Sequence, residues 1–240
     1  ASGYRALFNN TTGHGSVALG ACALCANTTA GNNVAVGRAS MRLNTTGDIN
    51  TASGFYSLYS NTTGTHNVAV GYSALIYNTT ATGNTAVGAC SLFSNTTGAS
   101  NAAFGYRSLK ANTCGNCNTA LGNAAMLANT TGHSNTAVGF LALCANTTGY
   151  SNVAVGRNSL RCATANNNTA IGAFTLTDNT TGNENTASGY SALADNTTGS
   201  ENTALGHLAL RLNTTGSCNI AIGAHALYSA TASIRNVAIG

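Results

Sequence analysis

A glycine that returns at a fixed interval constrains the fold of this chain more than any other feature. It closes an Ala-x-Gly triplet first at Gly3 and last at Gly240, and every interval is 17 residues except one of 16 between Gly156 and Gly172. Helical repeats need units of about 33 residues or more, and the Gly, Asn and Thr of this unit disfavour helix. The period therefore predicts an all-β fold, a parallel β-solenoid (β-roll) of about fourteen coils.

The repeat also predicts the domain organisation. Residues 1–240 read as a single repeat array, and neither end carries an atypical unit of the kind that caps repeat arrays. We therefore expect an interior segment of a longer fibre. The shortened unit has lost its residue in the turn 163–169, where a deletion is tolerated best.

The stretch N-T-A-V before each glycine is the clearest strand. Its second position is Val, Thr or Ile in thirteen of fourteen units, with Ala102 as the exception. β-Branched side chains fit a pleated surface, and the glycine after them marks a bend or bulge.

Four residues after each glycine the chain carries Leu in twelve units and Met in two, and these are the only methionines. Exchange of Leu for Met conserves volume, as buried positions require. We predict that this column is the core. Its central members are Leu24, Met41, Leu58, Leu75, Leu92, Leu109, Met126, Leu143 and Leu160.

Two residues before each glycine, Ala occurs in fifteen of fifteen places. Neighbouring strand residues point to opposite faces, and neither face carries Lys, Glu or Gln in any copy. We therefore expect the Val/Thr positions to face the coil interior and the alanines to lie against a second chain, or else to pack tightly within one coil. The column includes Ala35, Ala52, Ala69, Ala86, Ala103, Ala120, Ala137 and Ala154.

Asparagine opens both the strand and the N-T-T turn in nearly every unit. Asn suits turns because its side chain bonds to nearby backbone, and amides stacked on successive coils can form a ladder. We favour this role over N-glycosylation, whose pattern the N-T-T triplets also fit, since glycans about 4.8 Å apart would crowd one another. The predicted turn ladder includes Asn44, Asn61, Asn78, Asn95, Asn129 and Asn146.

Composition excludes several classes of function. Charged residues are 6% and the net charge is +4 with no basic run, so a nucleic-acid surface is not expected. Apolar runs are far too short to insert into a membrane. Acids, histidines and cysteines form no nucleophile–base constellation and no metal-ligand spacing, because the two C-x-x-C pairs, at Cys22 and Cys114, lie five coils apart. We expect no enzyme activity, no cofactor and no metal.

Eight cysteines are spread along the chain. Cys144 and Cys162 lie in adjacent units and are the only pair placed to join two coils, while the remainder are expected to be small apolar fillers.

The strand unit resembles a known adhesin repeat. Asn152-Val153-Ala154-Val155-Gly156, followed by Ser159-Leu160, is similar to the YadA-like head repeat of trimeric autotransporter adhesins. The longer form N-T-A-V-G-x-x-A-L-x-x-N-T-T-G resembles repeats of phage tail fibres and bacterial surface fibres. This likeness implies a left-handed parallel β-roll, three chains around one axis and an extracellular location.

These observations predict an extracellular structural or adhesive fibre segment, a rigid spacer or receptor-binding shaft. Its expected partners are copies of itself, as a homotrimer or filament, and a cell-surface receptor or glycan. The alternative is an ice-binding β-solenoid, because Thr follows the turn-Asn position in all fourteen units, from Thr11 to Thr231.

Overall fold

The computed structural model describes residues 1–240 and contains no helix. It is an all-β solenoid in which a three-residue parallel strand recurs about every 17 residues, as the period predicts. Two compact units are present, Ala1–Asn118 and Thr119–Gly240. The first contains β1 to β6: Val17–Leu19, Val34–Val36, Thr51–Ser53, Val68–Val70, Thr85–Val87 and Ala102–Phe104. The second contains β7 to β14: Thr119–Leu121, Thr136–Val138, Val153–Val155, Thr169–Ile171, Thr186–Ser188, Thr203–Leu205, Ile220–Ile222 and Val237–Ile239.

Within each unit every strand pairs with the equivalent strand of the next coil, so that like residues are aligned. Ala52 of β3, for example, lies opposite Ala69 of β4. The coil that is one residue short keeps this alignment, since Ala154 of β9 lies opposite Ala170 of β10. The deletion is therefore absorbed outside the strands, in the turn where the sequence places it.

The rest of the coil is built from turns, so that each coil contains one strand. Residues two and four positions after the register glycine have positive φ angles, such as 57° at Tyr56 and 50° at Leu58. A left-handed conformation costs a non-glycine residue roughly 1–2 kcal/mol. Hydrogen bonds between coils offset this cost, as when the Leu58 amide donates to the carbonyl of Ala74 at 2.9 Å. A coil therefore depends on its neighbours for stability.

The register glycine sits where no other residue fits. Gly54 has a φ of 137°, and a Cβ built on it would lie 2.5 Å from the carbonyl oxygen of Gly71 in the next coil. Within each unit the register glycine of one coil thus meets the backbone of the next coil, which explains why the residue never varies.

The Leu/Met column lies inside the coil. Leu24, Met41, Leu58, Leu75, Leu92, Leu109, Met126, Leu143 and Leu160 all have 0% exposure. In these coils the residue before each of them is a buried alanine or serine, so this side of the interior combines large apolar and small side chains.

The alanine column also lies inside the coil, which corrects the prediction that it faces a second chain. Ala35, Ala52, Ala69, Ala86, Ala103, Ala120, Ala137 and Ala154 have 0% exposure within one chain. Their Val and Thr neighbours point outward instead, and the typical burial along a strand is exposed or half-buried, buried, then exposed or half-buried. Tight packing inside the coil, the alternative, accounts for the invariant methyl group because a larger side chain would meet the opposite wall.

Two asparagine ladders form the polar half of the interior. In the turn ladder the Asn61 Nδ2 group donates to Asn44 Oδ1 at 2.7 Å and to the Gly64 carbonyl at 2.9 Å. The same carbonyl also accepts a 2.9 Å hydrogen bond from Asn50, one of the asparagines that open strands. The structure thus places Asn44, Asn61, Asn78, Asn95, Asn129 and Asn146 at fully buried positions, and an asparagine there has no surface for a glycan.

Two alanines interrupt the turn ladder and show how the remaining atoms respond. At Ala163 the ladder loses a rung, and Asn146 Oδ1 accepts a hydrogen bond from the Gly149 amide at 3.0 Å instead. At Ala230 no replacement forms, and Asn213 Oδ1 is left buried without a partner. The fold therefore accommodates a single gap in the ladder, but a gap can leave a buried amide oxygen without a hydrogen bond.

Candidate binding surfaces

The outward side of the strands is one continuous type of surface within each unit. Two side chains per strand, those flanking the buried alanine, form what we call the outward strand face. None of them is charged in any of the fourteen strands. Several are well exposed, among them Leu121 at 49% and Ile171 at 47%. A strand face in contact with water normally carries charged as well as polar residues. This face has Thr or Ser at nine of its 28 positions and apolar residues at the other nineteen, and its lack of charge suits a surface that is covered.

The threonines of the N-T-T turn divide into two columns. The first threonine donates its hydroxyl to the next coil, as from Thr45 Oγ1 to the carbonyl of Thr62 at 3.0 Å. The second threonine, such as Thr46 or Thr63, is exposed. One fully exposed column therefore remains on this side of the coil.

The cysteines are all free thiols, and the predicted pair Cys144 and Cys162 is not joined. Burial raises the pKa of the Cys144 thiol, against the lowering effect of a hydrogen bond with the Leu127 backbone and the charge of Arg161. No three His, Cys, Asp or Glu side chains gather where they could hold a metal ion. The structure likewise has no helix of a length and hydropathy that would cross a membrane.

Aromatic and cationic side chains cluster on the turn side, one to six residues after the register glycine. In the first unit, Arg38 lies over the ring of Phe55 at 5.6 Å and Phe55 stacks on Tyr72 with ring centres 5.7 Å apart. A groove of about 220 Å³ opens beside them. We call it the tyrosine groove, and it is lined by Tyr56, Tyr59, Ser60, Ile76 and Tyr77.

A second groove, in the second unit, combines rings with charged groups. It has a volume of about 260 Å³. We call it the acid–aromatic groove, and its walls are Phe174, Thr177, Asp178, Tyr190, Ser191, Ala194, Asp195 and Arg211. Asp195 and Arg211 form an ion pair across adjacent coils.

This groove was not predicted from the sequence. The missing signal was the column five residues after the glycine. That column carries large side chains such as Tyr59, Phe93 and Arg161 in most coils, but Thr177 and Ala194 in two successive ones. Two small residues in a row leave a gap between the large ones.

Comparisons of the chain with protein-family models, with curated proteins and with solved structures found no match.

Proposed function

We propose that this chain is a segment of an extracellular structural or adhesive fibre, and that its copies associate along the outward strand face. The observation that carries the proposal is the absence of charge from that face in all fourteen strands. Burial of exposed Val, Ile and Leu side chains drives association, and a single charged residue per strand would have prevented it.

The outward strand face is extended enough for a repeated contact. It offers two side chains from each of six strands in the first unit and each of eight strands in the second, and a standard interface draws on about 20–30 residues per partner. A second copy is the natural occupant because its strand face repeats with the same coil spacing, which lets every coil make the same contact. The resemblance to adhesin heads favours three chains, and a helical filament of single chains is the alternative.

Light scattering with a matched pair of variants tests this proposal. Val70→Lys with Phe104→Lys places two charges on the outward strand face, where these side chains are 37% and 38% exposed. Thr63→Lys with Thr97→Lys places the same charges on the exposed turn column. We expect the wild type and the turn variant to have a multiple of the chain mass, and the strand-face variant to have the mass of one chain. A wild type with the mass of one chain contradicts self-association.

Ice binding is the second candidate, and the exposed threonine column favours it. Thr29, Thr46, Thr63, Thr80 and Thr97 repeat at the coil spacing on one side of the first unit. The first threonine of each of these five turns is half-buried and already donates its hydroxyl to a neighbouring coil, so the exposed column is one residue wide. A thermal-hysteresis measurement tests the candidate, and a freezing point equal to the melting point excludes it.

A further inference from the structure

The acid–aromatic groove is shaped by neighbours that hold its rings in place. Phe174 and Tyr190 meet edge to face, with ring centres 5.9 Å apart and planes at 72°. Arg157 lies over the Phe174 ring at 5.3 Å, and His207 stacks on Tyr190 at 5.7 Å. Tyr190 is nevertheless 52% exposed. The groove thus presents a fixed aromatic surface to solvent.

The lining of the groove also carries hydrogen-bond acceptors and donors. Asp178 is exposed, and its carboxylate makes no ion pair or hydrogen bond with another side chain. The Asp195–Arg211 pair stands beside it with both side chains about 30% exposed, at 31% and 29%. Carboxylate acceptors and guanidinium donors therefore lie within one small groove.

The charges around the groove favour a neutral ligand. Two arginines, Arg157 over the Phe174 ring and Arg211 in the groove wall, stand against Asp178 and Asp195, which leaves no formal net charge. An anion would meet the free Asp178 carboxylate, and a cation would meet the two arginines, so neither gains much from the field. A neutral ligand rich in hydroxyls can use the donors and the acceptors together, while its apolar faces lie on the rings.

Size narrows the ligand further. Pockets for drug-sized molecules span about 300–1,000 Å³, and this groove of about 260 Å³ accommodates a smaller group, such as one sugar ring. Its open side leaves room for a chain of sugars to continue along the surface.

We propose that the acid–aromatic groove binds one pyranose ring of a neutral carbohydrate. The ring lies against Tyr190 and Phe174, and its hydroxyls donate to Asp178 and exchange hydrogen bonds with the Asp195–Arg211 pair. This inference gives a ligand to the adhesive role proposed above and rests on it for its biological meaning. The groove is built from turn positions rather than from the outward strand face, so binding and self-association can be measured separately.

Filling the groove gives the sharpest test. Ala194→Tyr introduces a side chain that the same column already holds at Tyr59 and Tyr228, so the fold tolerates it. As a control, Leu127→Tyr places a tyrosine in the same column, in a coil that does not line the groove. Asp178→Asn keeps the shape of the side chain but removes the charged acceptor.

The probes are neutral hexasaccharides of glucose, mannose and galactose, with N-acetyl-lysine methyl ester as a cationic reference, measured by saturation-transfer NMR and calorimetry. We expect at least one hexasaccharide to bind, Ala194→Tyr to weaken binding about tenfold or more, Asp178→Asn to weaken it severalfold, and Leu127→Tyr to leave it unchanged. The inference is overturned if no hexasaccharide binds, if Ala194→Tyr binds like the wild type, or if the cationic probe binds more tightly. Light scattering on the same samples separates the outcomes, because an intact particle mass without sugar binding leaves the fibre proposal standing.

Discussion

The interior and the outside of the same coil follow opposite rules from one coil to the next. Inside, one column is always Ala and another is always Leu or Met, each repeated in every unit of the chain. Outside, the position that follows the invariant alanine is Val36 in one strand, Ser53 in the next and Phe104 in a later one. The alanine column and the outward column that follows it belong to the same three-residue strand. Local conformation therefore does not explain why one is invariant and the other varies.

Stacking explains it. An interior side chain packs on its own copy about 4.8 Å above and below, within walls that leave no spare volume. Any change of size is therefore felt by three coils at once. An outward side chain also has its copies above and below, but it faces solvent instead of a wall, and its volume varies freely. Grooves can arise only in the outward columns, and two small residues in succession are enough to make one.

The strongest test of this contrast exchanges two adjacent residues of β9 for the same large one. Ala154→Phe forces a phenyl ring into a column with 0% exposure, and we expect a loss of about 4–5 kcal/mol or failure to fold. Val155→Phe imitates Phe104, which already stands in that outward column, and should change stability by less than about 1 kcal/mol. Thermal unfolding followed by circular dichroism measures both. Equal effects of the two variants would contradict the assignment of inside and outside.

Removal of a core side chain should be the next largest effect. Leu58→Ala opens a cavity in the buried column and is expected to cost about 2–5 kcal/mol. The adjacent Tyr59→Ala truncates a half-buried surface ring and should cost about 1 kcal/mol or less. Urea unfolding gives both values, and a Tyr59→Ala loss that matches Leu58→Ala would show that the turn rings form part of the core.

The asparagine ladder should contribute less than the apolar columns. Asn61→Ala removes the hydrogen bond to the side-chain oxygen Asn44 Oδ1. It also takes away one of the two donors to the backbone carbonyl of Gly64. A buried polar group without a partner costs about 1–3 kcal/mol. Thr63→Ala, on the exposed column two residues away, should lie within about 0.5 kcal/mol of the wild type. If Asn61→Ala is as stable as Thr63→Ala, the ladder does not stabilise the fold.

The smallest effect concerns thiol chemistry. Because burial raises the pKa of Cys144, less of this thiol is ionised at a given pH, and the thiolate is the reactive form. In chains that keep a single cysteine, we expect Cys144 to react with iodoacetamide more slowly at pH 8 than the exposed Cys114, and to gain rate as the pH rises toward 10. Equal rates across this pH range would mean that Cys144 is open to solvent.

Much of the fold could be predicted because the period is written in the chain. The number of coils, the buried Leu/Met column and the asparagine ladder follow from single letters that return at fixed positions. Which side of the strand faces inward did not follow, because alternation shows that Ala and Val point in opposite directions without showing which direction is the interior. The position before the alanine, mostly Val or Thr, resembled a core position. The position after the alanine points to the same side and ranges from Ser53 to Phe104, a difference in volume that no packed interior would accept.

The turns were harder to predict, for a different reason. Leucine rarely adopts a left-handed backbone conformation, yet Leu58 and the equivalent residues of the other coils have positive φ angles. Hydrogen bonds from neighbouring coils impose that conformation, and no local preference of Leu announces it. The acid–aromatic groove was missed for the same reason, since its walls come from different coils and adjoin only once the turn geometry is known.

Thiol labelling along one strand tests whether the alanine of each strand faces the interior of the coil and its two neighbours face outward. In a cysteine-free chain that carries Val70→Lys and Phe104→Lys, with the mass of one chain checked by light scattering, Ile220, Ala221 and Ile222 are replaced by Cys one at a time. Ala221 has 0% exposure, while Ile220 and Ile222 are 40% and 37% exposed. The account predicts prompt labelling at 220 and 222, and labelling at 221 only when the chain unfolds. Prompt labelling at 221 with protection at both neighbours would contradict it.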